Sequence, residues 1–221
     1  MNRLIRKILA PVPSLVRWYL SKKRTYHYKD LTIEVMPGVF HPGLFFSTNL
    51  LLEFVLQQNL KGSVALEIGA GTGILSLVAN KMGAIVTATD ISSIAIENIH
   101  ANAKKNNASI SIVHSDLFTN LPPSVYDWIF VNPPYYPKQP KKEEEFAWYC
   151  GEQHEYFINL FSTIHPFLSD KTRTIMVLSD VCNLNTIFKI AADHGFQLVK
   201  VLEKKIWIDG KNYIFEIKQA V

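Results

Sequence analysis

Short apolar runs alternate along this chain with longer segments in which apolar residues recur every three or four positions. Runs of the first kind predict buried strands, and segments of the second kind predict amphipathic helices. The predicted strands cover residues 28–35, 64–68, 84–89, 110–114, 126–131, 174–178, 198–203 and 213–217. The predicted helices cover residues 47–58, 74–82, 92–106, 156–168 and 184–194. Ser47 or Thr48 is the expected cap of the first helix, and Ser92 or Ser93 that of the third.

Strands that alternate with single helices predict a mainly parallel sheet that carries helices on both faces. The last two strands have no helix between them, and Asp209-Gly210 is a hairpin turn signal. We therefore expect these two strands to pair antiparallel at one end of the sheet. The predicted fold class is α/β, with a seven-stranded Rossmann-like sheet that is mostly parallel and ends in an antiparallel strand pair.

A glycine-rich loop joins the strand at 64–68 to the next helix. The loop contains Gly69, Gly71 and Gly73, which let backbone N–H groups approach a ligand closely. The dinucleotide fingerprint needs G-x-G-x-x-G, and here the third glycine comes one position early, which disfavours a pyrophosphate ligand. Glu67 stands just before the loop, where its carboxylate can meet a cationic ammonium group directly or through water.

Two aspartates follow the next two strands at their carboxyl ends, where ligands of open α/β sheets bind. Asp90 can accept hydrogen bonds from both hydroxyls of a ribose, and Ile91 can pack on an adenine face. Asp116 can accept from the adenine amino group, with the backbone of Leu117 beside it. A lone aspartate after a strand is usually a turn or helix-start residue. Suitable groups at three consecutive strand ends favour a nucleoside site.

The fourth strand of this series runs into Asn132, Pro133, Pro134 and Tyr135. A residue before proline is held extended, and each proline fixes φ and removes an N–H donor. The carbonyl oxygens of Asn132 and Pro133 and the side-chain oxygen of Asn132 can thus accept both N–H bonds of one NH₂ group. Such a grip orients the nitrogen of an amide or aryl amine for in-line displacement. Tyr135 can stack on a planar substrate group.

These residues resemble those of class I S-adenosylmethionine-dependent methyltransferases, in the branch that carries the Asn-Pro-Pro-Tyr motif, from about Phe40 to the C-terminus. The resemblance implies a class I methyltransferase sheet, S-adenosylmethionine as cofactor, and methyl transfer to a planar nitrogen. It implies a cofactor-binding set of Glu67, Gly69, Gly71, Gly73, Asp90, Ile91, Asp116, Leu117 and Asn132. It implies that residues 132–135 bind the acceptor nitrogen, and that Phe40, Tyr135 and Tyr136 contact the substrate.

Within this branch the chain is most similar to HemK-type glutamine methyltransferases, which modify the glutamine of a Gly-Gly-Gln loop in peptide chain release factors. Residues 40–42 with Thr48 resemble the family's Pro…Asp-Thr element, although Asn49 stands where an acid is usual. Residues 148–152 resemble its Gly-Gly-Glu-Asp-Gly stretch, with Cys150 for one glycine and Gln-His at 153–154 for Asp-Gly. Residues 1–30 are too short for the family's N-terminal helical bundle. The resemblance implies a release factor as the protein substrate.

Two other interpretations stay open. An RNA methyltransferase of the same branch would act on an exocyclic amine of adenine or guanine, and lysines at 138, 141 and 142 lie near Tyr135 and Tyr136. The run 143–145 is Glu-Glu-Glu, however, and would repel phosphate. A non-catalytic binding module that keeps the cofactor pocket is the third interpretation, which the intact Asn-Pro-Pro-Tyr motif disfavours.

The charge of the 221 residues is uneven. Residues 1–30 hold eight of the 23 basic residues and one of the 19 acids, Asp30. We predict a basic N-terminal extension over residues 1–30 and a methyltransferase domain over residues 31–221. The extension can contact RNA, a ribosome or an anionic membrane surface, or it can be a solvated arm. No apolar run approaches the roughly 18 residues that span a bilayer, and Cys150 and Cys182 lack metal-site spacing. We expect a cytoplasmic monomer without a bound metal.

Overall fold

The computed structural model describes residues 19–206 and 210–220. Residues 1–18 of the basic extension and Asp209 of the expected turn signal lie outside the described residues. The strands are β1 (Arg24–Tyr28), β2 (Leu31–Val35), β3 (Val64–Ile68), β4 (Ile85–Asp90), β5 (Ile110–His114), β6 (Trp128–Val131), β7 (Arg173–Ser179), β8 (Phe196–Ile206) and β9 (Gly210–Gln219). The helices are α1 (Phe46–Val55), α2 (Ile74–Lys81), α3 (Ser93–Lys105), α4 (Glu155–Thr163) and α5 (Leu184–Asp193).

Seven strands form one sheet in the order β5-β4-β3-β6-β7-β9-β8. The first five of these are parallel, whereas β9 is antiparallel to both β7 and β8. The predicted α/β class, the parallel sheet and the antiparallel C-terminal pair are confirmed. Because these strands are parallel, the carboxyl ends of β3, β4, β5 and β6 lie at one edge of the sheet. The strand order reverses at β3, and a ligand can bind in the crevice at that point.

Alternate residues of the strands point to opposite faces, and each face carries its own core. On one face, Phe130 and Val177 pack with α1 and α2. On the other, Val131 and Met176 pack with α4 and α5. The alternation of strands with single helices predicts helices on both faces, and the structure confirms it; the almost continuously apolar strands are typical of a sheet buried on both sides.

Three local predictions were wrong. Residues 28–35 form no single strand, because the chain turns at Lys29 (φ 53°) and β1 pairs antiparallel with β2. Helix α1 begins at Phe46 with no side-chain cap, and Ser47 and Thr48 lie inside it, buried. The helix expected over 156–168 ends at Thr163 and is followed by a 3₁₀ turn that contains Pro166, which has no N–H to continue the helix.

A row of carboxamides on α3 holds the β1–β2 hairpin against the sheet. Asn98, Asn102 and Asn106, one helical turn apart, accept hydrogen bonds from the backbone N–H groups of Met36, Glu34 and Thr32 at 2.8–3.0 Å. Their amide groups also donate to the carbonyls of residues 34 and 32. The backbone of β2 thus obtains on this side the hydrogen bonds that a neighbouring strand would supply.

Candidate active site

A cavity of about 700 Å³ lies at the carboxyl ends of the strands. Its wall includes nearly all of the residues that the sequence singled out: Phe40, Glu67, Gly69, Gly71, Asp90, Ile91, Asp116, Leu117, Asn132, Pro133, Pro134, Tyr135 and Tyr136. Gly73 is not on the wall. A Cβ at Gly73 would stand 3.0 Å from the side chain of Ile99, so this glycine permits close packing of the loop on α3.

The glycine loop turns sharply because three of its residues adopt left-handed backbone conformations, with φ of 69° at Gly69, 56° at Gly71 and 75° at Gly73. Such angles are costly for residues with a Cβ. A Cβ added to Gly69 would meet no protein atom within 4 Å, so the residue keeps the cavity wall open at this point.

The carboxylate of Asp90 is tied to the loop and to the start of α3. Its Oδ2 accepts from the N–H of Gly71 at 2.8 Å, and its Oδ1 accepts from the N–H of Ser92 at 2.9 Å. Burial raises the pKa of Asp90 above its usual value, although these backbone hydrogen bonds act in the opposite direction. Each oxygen keeps a second lone pair, so the fixed carboxylate can accept two further donors, such as a pair of hydroxyls.

Glu67 is buried in β3 beside the loop. Its Oε2 accepts from both the backbone N–H and the hydroxyl of Ser76 in α2. Burial raises the pKa of Glu67 to about 7, against the lowering effect of the Ser76 hydrogen bonds. A cation in the cavity would favour the ionised form of this carboxyl.

The third strand end contributes Asp116, which is exposed, and Leu117, which is buried and has a left-handed φ of 47°. Tyr156 of α4 completes this side of the cavity, a residue that the sequence analysis did not identify. Burial raises the pKa of the Tyr156 hydroxyl, and the carboxylates of Asp90 and Asp116 raise it further. The phenol therefore remains protonated and can act as a hydrogen-bond donor near both acids.

The side chain of Asn132 is held on two sides. Its Nδ2 donates to the hydroxyl oxygen of Thr48 in α1 at 3.3 Å, and its Oδ1 lies 3.4 Å from the hydroxyl of Tyr135. The Tyr135 hydroxyl also lies 3.4 Å from the carbonyl oxygen of Val177 in β7. These contacts fix the carboxamide with its nitrogen toward Thr48, which leaves acceptor capacity on Oδ1.

The loop between β6 and α4 folds back across the cavity. The N–H groups of Tyr135 and Tyr136 both donate to the carbonyl of Trp148, at 3.1 and 3.0 Å, and close the base of this loop. At the tip, Oε1 of Glu143 accepts from the hydroxyls of Ser92 and Ser93, at 2.9 and 2.8 Å. These hydrogen bonds lower the pKa of Glu143. We call residues 136–150 the lid.

Three aromatic rings, one of them from the lid, line the cavity. The ring centroids of Phe40, Phe45 and Trp148 lie 4.5–5.1 Å from one another. Phe40 was expected here, whereas Phe45 and Trp148 were not assigned to the site. The contact between residues 40–45 and residue 148 is long-range, so no local pattern could indicate it.

The cavity wall is acidic. Among the described residues it includes the carboxyl groups of Glu67, Asp90, Asp116, Glu143 and Glu155, and it includes no lysine, arginine or histidine. The lysines at 138, 141 and 142, which the RNA interpretation used, are not on the wall. A positively charged ligand is favoured in such a cavity, and a phosphate group is disfavoured.

Residues 19–206 and 210–220 contain no group of three or more side chains that could hold a metal ion. Within the same residues, no helix combines the length and the hydrophobicity that crossing a membrane requires. Cys150 and Cys182 are both buried, free thiols.

Comparison with known families gives a match to the methyltransferase small domain over residues 30–149. A ribosomal protein L11 methyltransferase of Thermotoga neapolitana is 34% identical over 182 residues, which cover 80% of this chain and 61% of the relative. A candidate protein N5-glutamine methyltransferase of Methanocaldococcus jannaschii is 37% identical over 110 residues, 49% of this chain and 53% of the relative.

The ribosomal RNA small subunit methyltransferase C of Haemophilus influenzae is 32% identical over 118 residues, 51% of this chain and 35% of that protein. The chain thus spans between 35% and 61% of the length of these curated relatives. A T. thermophilus 16S rRNA methyltransferase, solved with AdoMet and guanosine, has the same fold with a TM-score of 0.64 at 21% identity. This alignment covers 96% of this chain and 52% of that structure.

Proposed function

Because the chain belongs to the methyltransferase small domain family, we propose that it transfers a methyl group from S-adenosylmethionine to a planar nitrogen, namely the side-chain amide of a glutamine in a protein. The acceptor of this proposal is a release factor with a Gly-Gly-Gln loop, and the enzyme acts as a cytoplasmic monomer. The observation that carries the proposal is the position of the Asn132 carboxamide, which follows the carboxyl end of β6 and contacts Thr48 and Tyr135.

The residues at β3, β4 and β5 fit S-adenosylmethionine. Asp90 offers lone pairs for the ribose hydroxyls, and Ile91 and Leu117 offer apolar surface for the adenine. Glu67 offers a carboxylate for the ammonium group, and the acidic wall as a whole suits a cation. When bound, the cofactor would supply a methyl group on positively charged sulfur. Transfer would form the nitrogen–carbon bond as the sulfur–carbon bond breaks, and the methylated nitrogen would release one proton to bulk solvent.

The chain's own part in the reaction is to orient the acceptor. Oδ1 of Asn132 and the backbone carbonyl of Pro133 accept the two N–H bonds of the acceptor amide, so that its lone pair is directed at the methyl carbon. Pro133 and Pro134 have no N–H groups to compete for these oxygens. Thr48 keeps the Asn132 nitrogen away from the acceptor. Precise orientation of this kind lowers the barrier without a strong base.

The lid and the aromatic rings exclude water from the reacting atoms. Glu143 holds the tip of the lid on α3, next to the strand end that carries Asp90. Trp148 of the lid packs against Phe40 and Phe45, and the three rings form an apolar wall. Exclusion of water would protect an electrophilic methyl group from hydrolysis and strengthen the electrostatic interactions around it.

A glutamine acceptor is supported by the relative from M. jannaschii, whose name specifies that amide. It is supported as well by the wall of the cavity, which offers carboxylates but no described lysine, arginine or histidine to a phosphate. A glutamine side chain on an exposed loop can enter the cavity without bringing a charge. A nucleotide would bring its phosphate close to the carboxylates of the cavity wall.

An RNA base amine is the second candidate. It is favoured by the similarity to the small subunit methyltransferase and by the eight basic residues among residues 1–30. In this case the N-terminal arm would bind RNA or the ribosome through phosphate contacts, and binding would weaken steeply with salt.

The test is to incubate the full chain with radiolabelled S-adenosylmethionine and, separately, a release factor, intact ribosomes, tRNA and rRNA. The proposal predicts label in the Gly-Gly-Gln peptide of the release factor, and none when that glutamine is replaced by alanine. Label that nuclease releases would contradict the glutamine acceptor and support the RNA candidate. Absence of label in every acceptor would contradict methyl transfer itself.

A further inference from the structure

A tight turn over residues 41–44 joins two of the aromatic rings of the cavity. The N–H of Leu44 donates to the carbonyl of His41 at 3.2 Å, which closes the turn. Phe40 precedes the turn and Phe45 follows it, and their rings stack with centroids 4.5 Å apart. The position of both rings therefore depends on the geometry of this turn.

The side chain of His41 holds the turn from outside the cavity. It is buried, with an exposed fraction of 4%, and it is not on the cavity wall. Its Nδ1 accepts from the N–H of Gly43 at 3.1 Å. Asparagine and aspartate commonly make the same contact with the backbone two residues on, in the Asx turn. The imidazole thus adds a side-chain hydrogen bond to a turn that the backbone closes only once.

The turn is packed against the β1–β2 hairpin. The ring centroid of His41 lies 5.7 Å from that of Tyr26 in β1, and 6.0 Å from that of Tyr19. A Cβ at Gly43 would stand 2.5 Å from the Tyr26 ring, so the backbone of the turn lies directly on this ring. Because the carboxamides of α3 hold the hairpin, the turn is attached to a well-anchored part of the fold.

The hydrogen bonding of His41 indicates why an imidazole stands at this position. Because Nδ1 accepts, the ring proton is on Nε2, a buried donor for which the described residues offer no partner. An unsatisfied buried donor costs free energy, and an apolar ring would avoid this cost. Burial lowers the pKa of His41, a backbone hydrogen bond raises it, and the charge of Arg24 lowers it again. The ring is therefore neutral at pH 7, and the acceptor Nδ1 distinguishes it from an apolar ring.

The rings that this turn carries lie on the acceptor side of the cavity. Phe45 immediately precedes α1, whose Thr48 contacts the carboxamide of Asn132. Trp148 packs on the ring of Phe45, and its carbonyl accepts from the N–H of Tyr135. The aromatic wall is thus attached at two points to residues of the Asn-Pro-Pro-Tyr motif.

We infer that His41 is a positioning residue for the methyl acceptor: through the turn that it closes, it holds Phe40 and Phe45 against the planar group that carries the reacting nitrogen. This inference rests on the proposed function. His41 contacts neither the cofactor nor the acceptor and acts only through these rings. The rings pack on the face of the planar group while residues 132–135 accept its N–H bonds, so the group is fixed in two directions.

The experiment separates the acceptor atom of His41 from its ring. His41→Phe keeps a ring without the acceptor, His41→Asn keeps an acceptor that reaches the N–H two residues on, and His41→Ala removes both. The exposed His100 of α3 provides the matched controls His100→Phe and His100→Asn. Initial rates of methyl transfer to a release factor give kcat/KM. Calorimetry gives the Kd for S-adenosylhomocysteine, and thermal unfolding verifies that each variant is folded.

We expect His41→Phe and His41→Ala to lower kcat/KM for the release factor about tenfold, because misplaced rings no longer orient the acceptor. His41→Asn should stay within about threefold of wild type, because the hydrogen bond to Gly43 is kept. The Kd for S-adenosylhomocysteine should change less than about threefold in every variant. The reason is that Val39, the residue of this segment next to Gly71 of the glycine loop, precedes the turn and has its own hydrogen bond to Met36.

A folded His41→Phe variant with the kcat/KM of wild type would overturn the inference and leave the proposed function intact. A His41→Asn variant as impaired as His41→Ala would also overturn it, since packing of the ring would then position the wall. A Kd for S-adenosylhomocysteine that rises as much as kcat/KM falls would assign the effect to the cofactor half and overturn it as well. A wild-type chain that labels no acceptor would overturn the proposed function together with the inference.

Discussion

Glu143 accepts hydrogen bonds from both the backbone N–H and the hydroxyl of Ser93 through a single carboxylate oxygen. A residue of the lid therefore caps α3, the helix that begins just after Asp90. A negative charge at a helix N-terminus is favourable, because the first N–H groups have no partner within the helix. This contact ties the tip of the lid to the start of α3.

Replacement of Glu143 by glutamine should weaken the contact between the lid and α3. The Kd for S-adenosylhomocysteine should rise about three- to tenfold, because the closed position of the lid is then less populated. Calorimetry measures the change, and Glu144→Gln in the same exposed turn is the control, for which we expect no effect. Equal affinities for the two variants would show that the lid is not held by Glu143.

The contact between Glu143 and α3 should depend on pH, because its hydrogen bonds lower the pKa of Glu143. A carboxyl whose pKa is lower in the folded protein stabilises the fold fully above its usual value of 4.5 and loses this effect as the pH falls through the lowered value. Cofactor affinity should therefore depend on Glu143 at neutral pH. The difference between wild type and Glu143→Gln should persist at pH 4.5 and disappear only at lower pH.

Replacement of Thr48 by valine removes the hydroxyl that accepts from Nδ2 of Asn132 and keeps the shape of the side chain. We expect kcat to fall about three- to tenfold, which corresponds to the usual contribution of one hydrogen bond, while the Kd of the cofactor is unchanged. Thr48→Ser restores the hydroxyl and should restore kcat. Steady-state kinetics on the methyl acceptor provide the measurement. A serine variant as impaired as the valine variant would point to packing in α1 instead.

Replacement of Asn102 by alanine should destabilise the fold by about 2–4 kcal/mol, because the N–H of Glu34 loses its side-chain acceptor and the C=O of Glu34 loses one of its two donors, with Asn98 remaining. The same amide donates to the carbonyl of Thr72 in the glycine loop, so cofactor binding should also weaken. Urea unfolding with Asn59→Ala as an exposed control checks the stability. A loss no larger than that of the control would mean that the carboxamide row does not hold the hairpin.

Glu67 should make the free energy of unfolding of the cofactor-free protein depend on pH. Its pKa of about 7 in the fold lies above the usual 4.5, so the folded state holds this proton more tightly than the unfolded state. Stability from this source is complete below pH 4.5 and is lost as the pH rises to about 7, by about 3 kcal/mol in total. The Glu67→Gln variant should lack this decline. Urea unfolding between pH 4.5 and 8 measures the difference in free energy of unfolding between wild type and Glu67→Gln. A difference that does not change with pH would mean that Glu67 is ionised throughout this range.

The features that follow local rules could be predicted from the sequence. Strand β5 was predicted with its observed bounds, because its apolar run and flanking turn residues are short-range signals. Asp90 and Asn132 were recognised because each follows such a strand directly. The row of Asn98, Asn102 and Asn106 could also have been noticed, since a spacing of four residues places three carboxamides on one helix face.

Features that depend on distant contacts could not be predicted in this way. The turn at Lys29 has no glycine to mark it, so the sequence predicts one strand over residues 28–35 and does not reveal β1. Glu143 and Ser93 are 50 positions apart in sequence, and the run of three glutamates indicated only repulsion of phosphate. Asn212 is brought to the cavity by the pairing of β9 with β7, which the chain order alone does not reveal.

The central claim is that Asn132 holds the acceptor nitrogen and takes little part in cofactor binding. The most direct measurement is single-turnover methyl transfer by Asn132→Ala to its acceptor, together with the Kd for S-adenosylhomocysteine. The account predicts a loss in the transfer rate of at least about 100-fold with a Kd within a few-fold of wild type. Transfer at a near-normal rate by the alanine variant would contradict it.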